Sequence, residues 1–154
     1  MRLTRSSRLS RLQAPALGAL LAFASSAVAG CGQKKISECN GLIQVINTGV
    51  QSLEKRPAFS GDASGVADLK SLADAMDKVA ADAAKVELTV LELKKASSDY
   101  QSMATAVAKS ARDMAAAAEE KDEKKMSASE AAMQDAVKQE DPLVDGLNKF
   151  CQAP

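Results

Sequence analysis

Apolar residues recur at intervals of three and four along four stretches of this chain, and no other feature constrains its fold as strongly. Such spacing places the apolar side chains on one stripe of an α-helix. In the first stretch the stripe consists of Ile36, Cys39, Ile43, Ile46, Val50 and Leu53. The same spacing recurs over 66–86, 93–114 and 126–151. The sequence therefore predicts an all-α protein.

Proline and small polar residues set the expected ends of the first two helices. The first helix is predicted over 35–55, because the residue before Pro57 is pushed out of the α-helical region. Residues 57–64 contain Gly61 and Asp62 and are predicted to form a loop. Either Asp62 or Ser64 can cap the second helix.

Capping signals also divide the second half of the chain. Thr89 followed by Glu92 has the pattern of a capping box, which predicts a third helix from about residue 90 to 119. The charged run 119–125 is predicted to be a solvated turn. Pro142 leaves two alternatives for the last stretch: one kinked helix, or two stacked pieces with Asp141 as the cap of the second.

Four narrow apolar stripes joined by short loops predict an antiparallel, up-down-up-down four-helix bundle over 36–154. In that topology Cys39 and Cys151 fall at the same end, both on apolar stripes. In an oxidising compartment we expect them to form a disulfide. Two free thiols are the alternative.

The first thirty residues differ in character from the rest of the chain. They hold no acidic residue, and their basic residues are Arg2, Arg5, Arg8 and Arg11. A small and apolar stretch follows over 14–24 and small residues over 25–30, which is the three-part pattern of a secretory signal peptide. A permanent membrane span is disfavoured because the run is rich in alanine and contains Pro15 and Gly18.

The end of this signal carries a more specific pattern. Val28-Ala29-Gly30-Cys31 resembles the lipobox of bacterial lipoproteins. The resemblance implies cleavage between Gly30 and Cys31 and a diacylglycerol on the thiol of Cys31. It divides the chain into a signal peptide, 1–30, a lipidated cysteine with a short tether, 31–35, and the helical bundle, 36–154. Ordinary cleavage that leaves Cys31 free is the alternative.

The lipoprotein resemblance also implies where the protein is held. Two or more acyl chains anchor a protein stably to a bilayer. In lipoproteins an aspartate directly after the lipidated cysteine retains the protein at the inner membrane, whereas this chain has Gly32. The resemblance therefore implies the bacterial cell envelope, with the outer membrane favoured.

Two short segments of the bundle carry a second resemblance. The segment Glu38-Cys39-Asn40 and the closing Asn148-Lys149-Phe150-Cys151-Gln152 are similar to the ends of a group of small bacterial lipoproteins associated with helical bundles. This resemblance implies the fold and the disulfide, and no activity comes with it.

Composition excludes several kinds of site. The chain has no histidine, so it cannot form a Ser-His-Asp triad or a histidine-based metal site. Removing the four arginines of 1–30 leaves 16 basic and 20 acidic side chains, a net charge of −4 that disfavours nucleic-acid binding. The methionines recur at helical spacing, which favours core packing over soft-metal binding. We therefore expect no catalytic residues, no metal site and no cofactor.

The remaining function classes involve binding. The favoured one is a lipid-anchored structural or protein-interaction module that contacts the membrane through its lipid and meets an unidentified protein of the envelope. The alternative is a periplasmic binder of a small apolar ligand between the helices. An enzyme is the least favoured class, because it would have to rely on Asp, Glu, Lys, Ser or Tyr100.

Overall fold

A computed structural model of the chain describes residues 30–54 and 63–153, which form a helical bundle. The helices of these ranges are α1 (Gly30–Glu54), α2 (Ala63–Ala84), α3 (Leu91–Glu120), α4 (Glu123–Val137) and α5 (Glu140–Gln152). No strand occurs within them. The predicted all-α class is confirmed.

Several predictions fall outside this part of the chain. The predicted signal peptide lies there except for Gly30, at which α1 begins. The same holds for most of the predicted loop over 57–64, for the cap proposed at Asp62, and for the side chain of Cys31. The cap proposed at Ser64 was wrong, because α2 begins at Ala63 and Ser64 is its second residue. Among the helices that are described, none combines the length and the apolar character that crossing a membrane requires.

Helix α3 is the centre of the bundle. It is 30 residues long and contacts each of the other four helices. Its predicted stripe is buried at Leu93, Tyr100, Met103 and Val107. A second set of buried positions consists of alanines: Ala104, Ala108, Ala111 and Ala115. Their small side chains let neighbouring helices approach α3 closely on more than one side.

The junction between α2 and α3 differs from the prediction. Val90, not Thr89, is the N-cap residue, and no side chain of its own caps the helix. The Thr89 hydroxyl instead donates to Oε1 of Glu38 in α1. The backbone N–H groups of Thr89 and Val90 donate to Oε2 of the same carboxylate, at 2.8 and 3.0 Å. The capping-box prediction was wrong because a carboxylate from another helix binds these donors.

The turn between α3 and α4 lies where the charged run predicted it. Lys121 adopts a left-handed conformation with φ of 55°, which ends α3. Asp122 then caps α4, since its Oδ1 accepts a hydrogen bond from the backbone N–H of Lys125 at 3.0 Å. The exposed side chains of this run confirm a solvated turn.

The last predicted helix is two stacked pieces. Helix α4 ends at Val137, a two-residue turn follows, and α5 begins at Glu140. Pro142 is the third residue of α5, where the missing N–H is tolerated because first-turn N–H groups have no partner within the helix. The cap predicted at Asp141 was wrong: the N-cap position is Gln139, and it makes no side-chain cap hydrogen bond.

Helix α1 begins earlier than predicted and buries Leu42 in addition to most of the predicted stripe, of which Cys39 and Ile46 are in the core. It starts at Gly30, so residues 31–35, interpreted above as a tether, are helical. Leu42 is 0% exposed, although it lies off the predicted stripe, whereas Ile36 on that stripe is 57% exposed.

Candidate functional site

Helices α1 and α2 form an open groove of about 720 Å³, which we call the α1–α2 groove. Its apolar lining consists of Val45, Gly49, Ala75, Val79 and Val86. Charged residues of α2 and of the turn that follows it line the groove as well: Asp74, Lys78, Asp82 and, in the turn, Lys85. The groove thus combines apolar surface on both sides with charges on the α2 side only.

Glycines bring the two helices of the groove together. A Cβ atom added at Gly49 would lie 2.7 Å from Cγ2 and 3.1 Å from Cγ1 of Val79. One added at Gly41 would lie 3.6 Å from Cγ1 of Val86. Gly49 thus allows a close approach of α1 to α2, whereas a Cβ at Gly41 would make an ordinary contact.

The charges beside the groove form short chains of ion pairs. Asp82 accepts hydrogen bonds from the ammonium groups of Lys78 and Lys85, and these bonds lower the pKa of its carboxyl group, with Lys78 the larger cause. Asp74 pairs with Arg112 of α3, at 3.1 Å between Oδ1 and a guanidinium nitrogen. Exposed pairs of this kind contribute little to stability, but they place alternating charges along one side of the groove.

Gly49→Ala is expected to destabilise the protein. The new methyl group would enter the space of Val79, whose β-branched side chain has one strongly preferred rotamer in a helix and cannot readily turn away. We expect an overpacking cost of about 1 to 3 kcal/mol, reduced by the roughly 1 kcal/mol by which alanine exceeds glycine in helix propensity. Urea denaturation measures the net change.

Gly146→Ala is the matched control. Gly146 lies within α5, and a Cβ added there meets nothing within 4 Å. It should therefore gain stability, by roughly 0.5 to 1 kcal/mol. Equal gains at both glycines would contradict the close approach of α1 and α2.

A disulfide joins the C-terminal end of α5 to α1. Cys39 and Cys151 are bonded, with an S–S distance of 2.10 Å and a Cα–Cα distance of 5.8 Å. The pairing predicted from the sequence is confirmed. The third cysteine, Cys31, lies two turns before Cys39 in α1 and takes no part in this bond.

Beside the disulfide, Glu38 joins α1 to the start of α3. Its side chain is buried, and the pKa of its carboxyl group is lowered to about 2. The Thr89 hydroxyl is the largest cause, the N–H groups of Val90 and Thr89 and the charge of Lys34 add to it, and burial opposes it. The charged carboxylate is thus the form that the folded protein holds.

This lowered pKa predicts acid sensitivity. Since the folded pKa lies below the ordinary value of 4.5, the stabilisation by Glu38 is fully present above pH 4.5 and is lost as pH falls toward 2. Glu38→Gln should therefore lower the melting temperature most at neutral pH and progressively less below pH 4.5. Thermal melts across this range test it, with Glu130→Gln on the exposed surface of α4 as control. A constant gap between wild type and Glu38→Gln at all pH values would contradict the assignment.

The methionines that recur at helical spacing are part of the packing. Met76 and Met103 are buried, and Met114 and Met133 are half-buried against the core, which supports the packing interpretation. In the described ranges no three His, Cys, Asp or Glu side chains cluster so as to hold a metal ion.

Tyr100 and Glu140 have perturbed pKa values for a shared reason. Burial, and secondarily the charge of Glu140, raises the pKa of the buried Tyr100 hydroxyl to about 12. Burial, and secondarily Asp141, raises the pKa of Glu140, the first residue of α5. Tyr100 therefore stays protonated at neutral pH.

Comparison of the chain with protein-family models, with curated protein sequences and with solved structures finds no match in any of the three. The candidate site is the α1–α2 groove. The disulfide and the hydrogen bonds of Glu38 hold the first half of α1 beside it.

Proposed function

We propose that this protein is a lipid-anchored module of the bacterial cell envelope that binds a helix of a partner protein in the α1–α2 groove. In this proposal the signal peptide is cleaved between Gly30 and Cys31, and the lipidated Cys31 holds the bundle at the outer membrane. The observation that carries the binding role is the open groove, whose apolar lining is shared by two helices.

The shape of the groove favours a helical partner. Peptide helices commonly bind by placing an apolar face into a groove between two helices. Val45 on α1 and Val79 on α2 offer that apolar surface, and the close approach at Gly49 joins the two walls. The fixed charges of Lys78, Asp82 and Lys85 lie along one wall, where they would orient the partner.

The proposal includes the up-down-up-down topology of four helices. In it, α4 followed by α5 takes the place of the fourth helix. Lys70, early in α2, pairs with Glu119 at the end of α3, while the Ser97 hydroxyl near the start of α3 donates to the Ala83 carbonyl at the end of α2. These contacts support opposite directions for α2 and α3. The Cys39–Cys151 bond supports the placement of the chain's last helix beside its first.

Membrane fractionation tests the anchor. Cys31→Ser should move the protein from the membrane to the soluble fraction and abolish labelling with radioactive palmitate, because the acylated atom is removed. Gly32→Asp is the matched control, since it keeps the thiol and should leave the protein on a membrane while shifting it toward the inner one. Retention of Cys31→Ser on membranes would contradict lipid anchoring.

Site-specific photo-crosslinking in cells tests the groove. A photoreactive residue at the exposed Thr48 of the groove should give a discrete crosslinked product that one at the exposed Glu130 of α4 does not. Val45→Asp should remove the product, because a carboxylate in the apolar lining opposes burial of an apolar helix face. A product that survives Val45→Asp would place the contact elsewhere.

The size of the groove favours a small apolar ligand as the second candidate. Its volume of about 720 Å³ lies within the range of about 300 to 1,000 Å³ that is typical of ligand sites. Saturable binding of an apolar fluorescent dye to the purified protein, lost in Val45→Asp, would favour this candidate. Its absence, with a Thr48 crosslink to protein, would favour the helix.

A further inference from the structure

Exposed apolar side chains concentrate at one end of the bundle. In the described part of the chain three large apolar side chains are exposed: Ile36 at 57%, Leu91 at 75% and Val137 at 47%. Ile36 lies near the start of α1 and Leu91 is the first residue of α3. Val137, at the end of α4, is the exception.

Contacts of Glu38 and Lys35 bring the start of α1, the start of α3 and the end of α5 together. Glu38, two residues after Ile36, accepts hydrogen bonds from the two residues that precede Leu91. The Lys35 ammonium group donates to the Ala153 carbonyl at 2.6 Å and lies 4.7 Å from the centre of the Phe150 ring. Ile36 and Leu91 thus belong to one end of the molecule.

The segment that connects α2 to α3 at this end of the bundle is unusually apolar. Residues 86–91 read Val-Glu-Leu-Thr-Val-Leu, although segments that connect helices at the surface normally consist of polar and turn-forming residues. Val86, Leu88 and Val90 are half-buried against the core, whereas Leu91 remains in contact with water. Ile36 and Leu91 both add exposed apolar area at this end, and exposed apolar area rimmed by polar residues is typical of a surface that binds another apolar phase.

The charges at this end favour an anionic surface. Lys34, Lys94 and Lys149 are exposed and make no ion pair with any described residue. With Lys35 they number four, against three carboxylates: the exposed Glu87 and Glu92 and the buried Glu38. In a predicted mature chain with a net negative charge, this local excess of ammonium groups suits the anionic headgroups of a phospholipid bilayer.

The start of α1 determines how near this end lies to the anchor. Cys31 is five residues before Ile36 in the same helix, which corresponds to an axial rise of about 7.5 Å. A lipid on Cys31 would therefore hold Ile36 within the depth of the headgroup layer.

We propose that Lys34, Ile36, Leu91, Lys94 and Lys149 form a membrane-contact surface, the basal surface, on which the bundle stands against an anionic phospholipid bilayer. Ile36 and Leu91 insert between the headgroups, and the lysines contact lipid phosphates. This inference rests on the proposed lipid anchoring, which it extends by naming the part of the protein that meets the membrane.

The chain contains no tryptophan, so one introduced tryptophan is a unique fluorescent probe. The experiment uses Leu91→Trp, Ile36→Trp and, as the matched exposed control, Val137→Trp. Each protein is purified from membranes in its processed form and reconstituted into vesicles of phosphatidylethanolamine and phosphatidylglycerol. Flotation of the vesicles, tryptophan emission and quenching by brominated lipids are measured separately, and thermal melts confirm that the variants fold.

We expect the tryptophans at positions 91 and 36 to shift their emission to the blue on reconstitution and to be quenched by the brominated lipids. Interfacial segments bury their apolar side about 5 to 10 Å into the headgroup and acyl boundary, within reach of such quenchers. The tryptophan at position 137 should stay unquenched. Replacing phosphatidylglycerol with phosphatidylcholine, or introducing Lys34→Glu with Lys94→Glu, should reduce the quenching at position 91.

The outcomes separate the two proposals. Quenching at position 91 no greater than at 137, in protein that floats with the vesicles, would overturn the basal surface and leave lipid anchoring intact. A blue shift at position 91 without quenching by lipid would overturn it in favour of a protein partner or a second copy. Protein that does not float with the vesicles would overturn the anchoring, and the basal surface with it.

Discussion

Replacing Cys39 and Cys151 with alanine is expected to lower the free energy of unfolding by about 4 to 5 kcal/mol. The bond joins residues 112 positions apart, and a link across a loop of that size stabilises a protein by roughly this amount in the chain-entropy model. A loss of this size lowers the melting temperature of a domain this long by more than about 10 °C. The expected cost is large because the bond fixes the last helix to the first.

The single variants provide the sharper test of this bond. If the covalent link is the source of stability, Cys39→Ala and Cys151→Ala should each cost nearly as much as the double variant, because either one removes the bond. If the two cysteines only packed against each other without a bond, each single variant would lose only part of what the double variant loses. All proteins should carry Cys31→Ser, which prevents alternative pairing, and reductant should lower the melting temperature of wild type but not of the double variant. An unchanged wild-type transition in reductant would contradict the disulfide.

The sequence predicted the helices well because their signals are local. Spacings of three and four set the helical class, and the charged run before Asp122 located the turn between α3 and α4. The ends were less predictable where two local signals competed. At Pro142 the sequence allowed either a kink or a break, and the turn that separates α4 from α5 lies a few residues earlier.

Contacts between distant residues were not predictable from spacing. Glu38 accepts hydrogen bonds from residues 51 and 52 positions away. The sequence around Thr89 does not show whether its N–H will be bound within a capping box of α3 or by a carboxylate of α1. A signal did exist, since Glu38 stands four and eight residues before the buried Leu42 and Ile46 and so faces the same side of α1. A charged residue on a buried face indicates a partner but does not identify it.

The α1–α2 groove was likewise beyond the sequence. A glycine within a helical stretch, such as Gly49, does not tell which helix will approach it or which side of that pair will stay open. The identity of the neighbour depends on the order in which helices surround α3, and that order follows from the summed packing of the bundle. Helical periodicity identifies a buried face only when the apolar residues leave one choice, and α1 offers two because Leu42 and Ile43 are adjacent.

Leu42→Ala should separate these two choices and is expected to destabilise the protein by about 3 to 5 kcal/mol. Leu42 is fully buried in the core with Cys39 and Ile46, and a Leu→Ala change at such a site loses both buried apolar surface and the contacts around the resulting cavity. Ile43, on the predicted stripe, is only half-buried, so Ile43→Ala should cost about 1 to 2 kcal/mol. The two residues are adjacent and nearly equal in volume, so helix propensity and side-chain size cannot explain a difference. Urea denaturation of the oxidised proteins measures both, and an equal or larger loss at Ile43 would mean that α1 buries Ile43, and not Leu42, in the core.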